Sequence, residues 1–385
     1  MIAIIADDLT GAAELGAVAL RYGLSSEVQA GRLADSSADV VVLNTDSRSL
    51  PPAQAGQAAA AAAGDLRDSA EWVYKKVDSV LRGSVVAEIE AVLPALRVDR
   101  ALLVPANPAM GRTIRDGQYL IGGLPLHRTG FAADKEHPAA TSEVLDLLGR
   151  AGSMELSLLS PRQALPPRGI FVGQAGSSRD LAAWAAKADE RTLPVGGAEF
   201  FAAVLQSRGH RPQAAGAGAA PIPAGGRLLV CGSSPPYARK TAEQASAHGV
   251  EVLPMPLDVF AAEAPSPPAI AQWAQAASAA MDRWSMAVVS IAQGEDRAGP
   301  ANVLTAKLAE VAAAILGMRQ VAQVFVEGGA TAQAVVKRMG WWCLAVLGEL
   351  AAGVASLQPG GRDNPVLTIK PGSYGWPDGI WPTAR

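Results

Sequence analysis

A chain of 385 residues exceeds what one ordinary hydrophobic core serves, so length alone favours two domains. Hydrophobic residues make up 49% and charged residues 18%, which excludes disorder, and a formal charge of −3 argues against nucleic acid as a partner. Cys231 and Cys343 make neither a metal pattern nor a disulfide framework, no apolar run approaches a membrane span, and no basic segment precedes the apolar start, so a soluble, cytoplasmic protein with no membrane partner is expected.

The predicted elements begin at once. Residues 2–6 are almost wholly apolar, as in a strand buried on both faces of a parallel sheet. Asp7 and Asp8 follow, then Thr10 and Gly11, then a helix over 12–20. Acids between a strand end and a helix start stand where open α/β folds bind ligands. A single acid is enough to cap the helix, so the pair calls for a second explanation. Further strands are expected at 26–30 and 39–43, the second ending in the polar loop Asn44-Thr-Asp-Ser-Arg48. Pro51 and Pro52 open an Ala-rich helix to about residue 66. A strand at 71–75 leads into Lys75-Lys-Val-Asp-Ser-Val-Leu-Arg-Gly83 and an amphipathic helix with Val85, Ile89, Val92 and Leu96 on one face. After a buried strand at 101–104, residues 118–126 read as a hairpin turning on Gly122-Gly123. A helix at 141–148, weak strands at 156–159 and 170–172, a helix at 179–187, a strand at 192–195 and a helix to 206 complete the first half.

Residues 208–226 are rich in Ala, Gly and Pro without apolar periodicity and read as a linker, separating domains at 1–207 and 227–385. The glycines within it fail as a dinucleotide fingerprint. Alternation then resumes, with strands expected at 228–231, 250–255, 287–291, 324–327, 343–347 and 366–369, and helices at 235–247, 269–283 and 303–316. Gly/Ser/Thr turns follow several of these strands, at Gly232-Ser-Ser234, Gly328-Gly-Ala-Thr331, Gly348-Glu349 and Lys370-Pro-Gly-Ser-Tyr-Gly375. Backbone N–H groups in such turns can hold phosphates without a lysine-bearing P-loop. Each also has a plain reading as turn and N-cap chemistry. The alternation of strand and helix predicts an α/β fold in two domains, each with a largely parallel sheet flanked by helices.

Taken in order, Asp7-Asp-Leu-Thr-Gly-Ala12, Lys76-Val-Asp-Ser-Val-Leu-Arg-Gly83, Gly111-Arg-Thr-Ile-Arg-Asp-Gly117, Phe131-Ala-Ala-Asp134 and the C-terminal turns resemble the four-carbon acid sugar kinase family over nearly the whole chain. The resemblance implies a sugar-acid-binding N-terminal domain, a nucleotide-binding C-terminal domain, and an active site in the cleft between them. It also implies ATP-dependent phosphorylation of threonate, erythronate or their 3-oxo forms at the terminal hydroxyl, with Mg²⁺ expected alongside the nucleotide. Three positions depart from the family pattern: Val80 stands at a usual threonine, Ala330 at a usual acid, and Pro371 at a usual serine.

On this resemblance the sugar acid falls to Asp7, Asp8, Asp78, Ser79, Arg82 and Gly83, and ATP to Ser233, Gly328, Gly329, Ala330, Thr331 and Gly372. No residue is assigned to a metal, and homo-oligomerisation stays open. Arg82 suits a carboxylate clamp, or else a structural salt bridge to a nearby acid. Asp78 and Ser79 meet hydroxyl groups or cap a helix. Asp8 is the candidate base, and two close carboxylates would push one pKa upward. Two other functions fit less of the chain: a non-catalytic sensor of the same ligands, which Ala330 makes conceivable, and a nucleotide-dependent hydroxy-acid oxidoreductase, for which no fingerprint exists.

Overall fold

The computed structural model describes all residues except 135–136, 150–151, 215–218, 234, 292–298, 361–363, 373 and 383–385; at 133, 235 and 236 it describes the backbone alone. Ser234, Ser373 and residues 215–218 of the expected linker therefore lie outside the described residues. The chain divides into two compact units, Met1–Ala217 and Gly218–Arg385.

Unit 1 opens with β1 (Ile2–Ala6), α1 (Leu9–Arg21), β2 (Ser26–Ala30), β3 (Val40–Asn44), α2 (Pro52–Arg67), β4 (Trp72–Lys76), α3 (Val85–Leu96) and β5 (Arg100–Val104). It continues through β6 (Arg112–Arg115), β7 (Gln118–Ile121), β8 (Leu124–Pro125), α4 (Val144–Leu148), β9 (Leu156–Leu159), β10 (Gly169–Gly173), α5 (Ser178–Ala185), β11 (Thr192–Gly196) and α6 (Ala198–Ser207). Its main sheet has the order β2-β3-β1-β4-β11-β5-β10-β9, with every neighbouring pair parallel. β1 and β3 are buried at every position, which is why they read as unbroken apolar runs. α2 meets α3 through small residues: a Cβ on Gly56 would lie 3.1 Å from the Ala87 carbonyl oxygen. β3, β1 and β4 are neighbours, so three loops rich in charge leave the same edge of the sheet side by side.

A second, antiparallel sheet joins β6, β7 and β8. Its expected turn, Gly122-Gly123, has both residues at positive φ, 57° and 82°. The preceding turn, Asp116-Gly117, does the same with φ of 48° and 81°. Positive φ at both central residues matches the twist of a tight hairpin, and Asp-Gly is a favoured pair there. That first turn and β6 were not anticipated, because Arg112-Thr-Ile-Arg115 is too short and polar to read as a strand. α1 starts earlier than expected because Asp8 caps it, accepting from the Gly11 N–H.

Unit 2 contains β12 (Arg227–Cys231), α7 (Pro235–Ala247), β13 (Glu251–Pro254), α8 (Leu257–Ala261), α9 (Pro267–Trp284) and β14 (Met286–Ser290). After these come α10 (Ala301–Met318), β15 (Gln323–Glu327), α11 (Gly329–Met339), β16 (Cys343–Ala351), β17 (Val354–Pro359) and β18 (Val366–Lys370). The strand order is β13-β14-β12-β15-β18-β17-β16, the first five parallel and the last two antiparallel. Two expectations are corrected here. Gly348-Glu349 is no turn after a strand: β16 runs through it, with Gly348 at φ 142° beside a register shift, as in a bulge. α10, with 18 residues and a mean hydropathy of 1.4, is long and apolar enough by those measures to cross a membrane. It behaves as a core helix, burying Leu304, Leu308, Val311, Ala312 and Ile315.

Candidate active site

Alternation along β4 sends its last two side chains to opposite faces, and both are lysines. The Lys75 ammonium meets Glu88 on α3 at 2.6 Å, and Lys76 meets Glu14 on α1 at 3.6 Å. Glu88 also accepts from the Ser47 hydroxyl at 2.7 Å, which fastens the loop after β3 onto the same buried pair. That loop delivers Arg48. Its guanidinium donates to both oxygens of Asp7 at 2.8 Å and to Asp8 at 2.8 Å, and stands 3.7 Å from Asp78. Gly83 lets the chain pass close by, since a Cβ there would lie 3.2 Å from the Arg48 carbonyl oxygen, and its φ is 89°.

The three acids differ in their partners. Asp7 is buried, with both oxygens taken by Arg48. Asp78 accepts from the backbone N–H groups of Val80 and Arg82 and, on both its oxygens, from the Arg82 guanidinium. Asp8 accepts from the Gly11 N–H and Arg48 on one oxygen and from the Thr10 hydroxyl on the other. Arg82 thus holds Asp78, and at 3.1 Å also Asp134. Its guanidinium lies over the Phe131 ring, as does that of Arg112, which donates to the Ser79 hydroxyl.

Burial alone would raise the Asp7 carboxyl, but Arg48, with Lys75 and Lys76 behind it, holds it below the usual carboxylate range. Burial opposes the charge of Asp78 too, and Arg82 and Arg48 more than offset it, leaving that carboxyl far below its ordinary value. At Asp7, then, the upward push expected for one of the two neighbouring carboxylates is not found. A guanidinium shared between the acids outweighs their mutual repulsion.

In unit 2, β12, β15 and β18 are neighbours, so the turns beginning at Gly232, Gly328 and Pro371 emerge together. The Gly328 N–H donates to the Lys370 carbonyl and the Gly232 N–H to the Glu327 carbonyl, tying the three strand ends. Positive φ falls on Gly328, at 101°, while Gly329 begins α11. A Cβ on Gly232 would overlap Thr331 Oγ1, and one on Gly372 would lie 2.6 Å from Ser233 Oγ. That hydroxyl is buried and meets no hydrogen-bonding partner among the described residues. Ala330 is exposed in the first turn of α11.

Beneath these turns lies a buried group. Glu327 accepts from Thr241 at 2.7 Å and Trp376 at 2.8 Å, and pairs with Lys370 at 3.0 Å. Burial pulls the Lys370 ammonium below the usual lysine range despite Glu327, and pushes the Cys231 thiol up. Among the described residues no three His, Cys, Asp or Glu side chains form a metal-binding group.

The expected sugar-acid residues thus gather in unit 1 and the expected ATP residues in unit 2. Arg48 and Arg112 carried no assigned role in the sequence. Arg48 stood in a loop noted only as polar at a strand end, and Arg112 in a stretch noted only for its resemblance.

A family profile described as a sugar-binding N-terminal domain matches residues 2–204, and one described as a nucleotide-binding C-terminal domain matches residues 228–380. A D-threonate kinase of Bordetella bronchiseptica is 29% identical, over 98% of this chain and 95% of the relative. A 3-oxo-tetronate kinase of Methylobacterium radiotolerans is 28% identical, over 97% of this chain and 96% of the relative. A D-threonate kinase of Salmonella typhimurium is 34% identical over half the length of each chain.

The depressed carboxyls predict acid sensitivity. Asp7 and Asp78 have folded pKa values below the unfolded value of about 3.8. Their contribution to stability is full above that value, declines below it, and is lost as pH falls through the lower folded values. The urea midpoint should therefore drop steeply between about pH 5 and pH 2, and Asp78→Asn, less stable at neutral pH, should show a shallower decline. Parallel declines in the two proteins would place the acid sensitivity elsewhere.

Proposed function

Because the chain belongs to the four-carbon acid sugar kinase family, we propose that its two clusters divide one reaction between them. The chain is a kinase of four-carbon sugar acids. Unit 1 takes the sugar acid on the loops after β1, β3 and β4, and unit 2 takes ATP on the turns after β12, β15 and β18. Mg²⁺ enters as part of the MgATP substrate and neutralises phosphate charge. The terminal hydroxyl of the acid attacks the γ-phosphorus; the new O–P bond forms as the bond to ADP breaks, and the hydroxyl proton passes to a carboxylate.

The observation that carries the nucleotide assignment is the cradle around Ser233. A buried hydroxyl that meets no partner among the described residues faces a glycine whose Cβ would crowd it, at the edge where three glycine turns meet. A phosphate oxygen fills such a place and accepts the hydroxyl and backbone N–H groups. For the proton acceptor, the partners of the acids favour Asp8. Asp7 has both oxygens bound by one guanidinium and Asp78 receives four donated bonds, whereas one Asp8 oxygen meets only the Thr10 hydroxyl among the described residues. Asp8 is also the most exposed of the three, its side chain at 13% against 4% and 8%. The substrate range follows from a screen of D-threonate, D-erythronate and their 3-oxo forms with ATP, reading ADP release and product mass.

Asp8→Asn should lower kcat by about 10²-fold, the usual scale for a lost general base, and keep the α1 cap, since Asn caps a helix well. A near-normal kcat would remove Asp8 from the chemistry. Gly372→Ala should raise KM for ATP by at least about tenfold and leave calorimetric binding of the sugar acid to the full chain within about twofold. Unchanged KM for ATP would take the turn after β18 out of the nucleotide site.

A further inference from the structure

Among the described residues that meet around Asp7, Asp8 and Asp78, one cation, Arg112, has no acid partner, whereas Arg82 has two. Arg48 serves Asp7 and Asp8, Arg82 serves Asp78 and Asp134, Lys75 serves Glu88 and Lys76 serves Glu14. Arg112 stands among them with a hydroxyl, Ser79 Oγ, and an aromatic face, Phe131, as its described partners. Resting on the kinase reading above, we propose that Arg112 binds the carboxylate of the sugar acid, with Ser79 beside it, and so selects acids over neutral polyols.

The placement of Arg112 favours this role. Its backbone is held on both sides, its N–H donating to the Asn107 carbonyl at 3.0 Å and its carbonyl accepting from the Asn107 N–H at 2.8 Å. Gly111 at φ 67° makes the turn that brings it there. Its guanidinium carbon lies 5.9 Å from the centre of the Phe131 ring and one of its N–H groups goes to Ser79, and a guanidinium has further N–H groups with which to pair a carboxylate bidentately. Ser79 is the neighbour in sequence of Asp78, the acid that faces Arg48, so the chain of contacts from Asp8 through Arg48 and Asp78 reaches Arg112 within one unit. A carboxylate placed on Arg82 would be the third anion on one guanidinium, repelled by Asp78 and Asp134. On Arg112 it is the first among the described residues.

The test is calorimetric titration of the full chain with D-threonate and D-erythronate, each against the matching neutral tetritol. Wild type should bind the acid about 10²-fold more tightly than the tetritol, the scale of a bidentate charged pair. Arg112→Gln should lose about that factor for the acid alone, Arg112→Lys should recover part of it, and KM for ATP should stay unchanged. Arg112 is partly exposed, so a thermal midpoint near wild type is expected and confirms that folding survives. Acid binding by Arg112→Gln within about threefold of wild type overturns the proposal, as does equal loss of acid and tetritol, the mark of a merely structural arginine. If wild type binds the acid in an Arg112-dependent way yet transfers no phosphoryl group from ATP, the carboxylate subsite stands and the kinase reading falls.

Discussion

Carboxylates can be gathered at a sheet edge only if something cancels their charge, and in unit 1 that is the Arg48 guanidinium. It donates to Asp7 and Asp8, which follow β1, and faces Asp78, which follows β4, while itself following β3. The three strands are neighbours only because the chain crosses from β1 to its two sides in turn, so topology and charge balance are one constraint. Removing a partner from a buried ion pair costs about 3–5 kcal/mol, because the charge left behind keeps its desolvation penalty. Burial of Asp7 and Asp8 is therefore tolerated largely on account of Arg48, with Arg82 doing most of the same for Asp78, and the loop that carries Arg48 is fastened from below through Ser47, Glu88 and Lys75.

Unit 2 repeats that device with a different purpose above it. A buried lysine and glutamate, Lys370 and Glu327, lie at the ends of adjacent strands, and a hydroxyl, from Thr241, donates to the glutamate as Ser47 does to Glu88. Over the pair in unit 1 stand side-chain charges suited to hydroxyl groups and a carboxylate. The pair in unit 2 underlies glycines and hydroxyls suited to phosphate. The pair ties a strand end to a helix in unit 1 and two strand ends in unit 2, and each leaves the loops above to set the chemistry.

Much of this was legible in the sequence, for local reasons. Buried parallel strands are continuous apolar runs, so Ile2–Ala6 and Val40–Asn44 could be read directly, and Gly-Gly at 122–123 announced its hairpin. What could not be read was non-local. Arg48 and Arg112 look like any arginine in a polar loop until the fold puts three acids around one and, among the described residues, none in pairing distance of the other. Arg82 carried two readings in the sequence, clamp or structural bridge, and its bond to Asp134, 52 positions away, is one that no local pattern announces. Gly348 read as a turn because glycine after an apolar run usually is one; pairing with β17 absorbs it as a bulge, and β17 itself, Val-Ala-Ser-Leu-Gln-Pro, carries too weak a pattern to betray the meander.

The loops after β3 and β4 each hold a residue other than glycine at positive φ. Asp46 and Leu81 sit at φ 51° and 64°, in the left-handed region that costs a residue other than glycine about 1 kcal/mol or more. Asp46 is eased by its N–H donating to the Asn44 side chain, and Leu81 by burial of its own side chain at 5% exposure. Both compensations come from within the unit, as do the ion pairs between Arg48, Asp7 and Asp8, so the acid cluster is held in shape by its own residues. Binding energy from a small sugar acid then need not be spent on ordering these loops. A four-carbon ligand has few atoms with which to supply such energy, so a site prepared in advance is the arrangement its size demands.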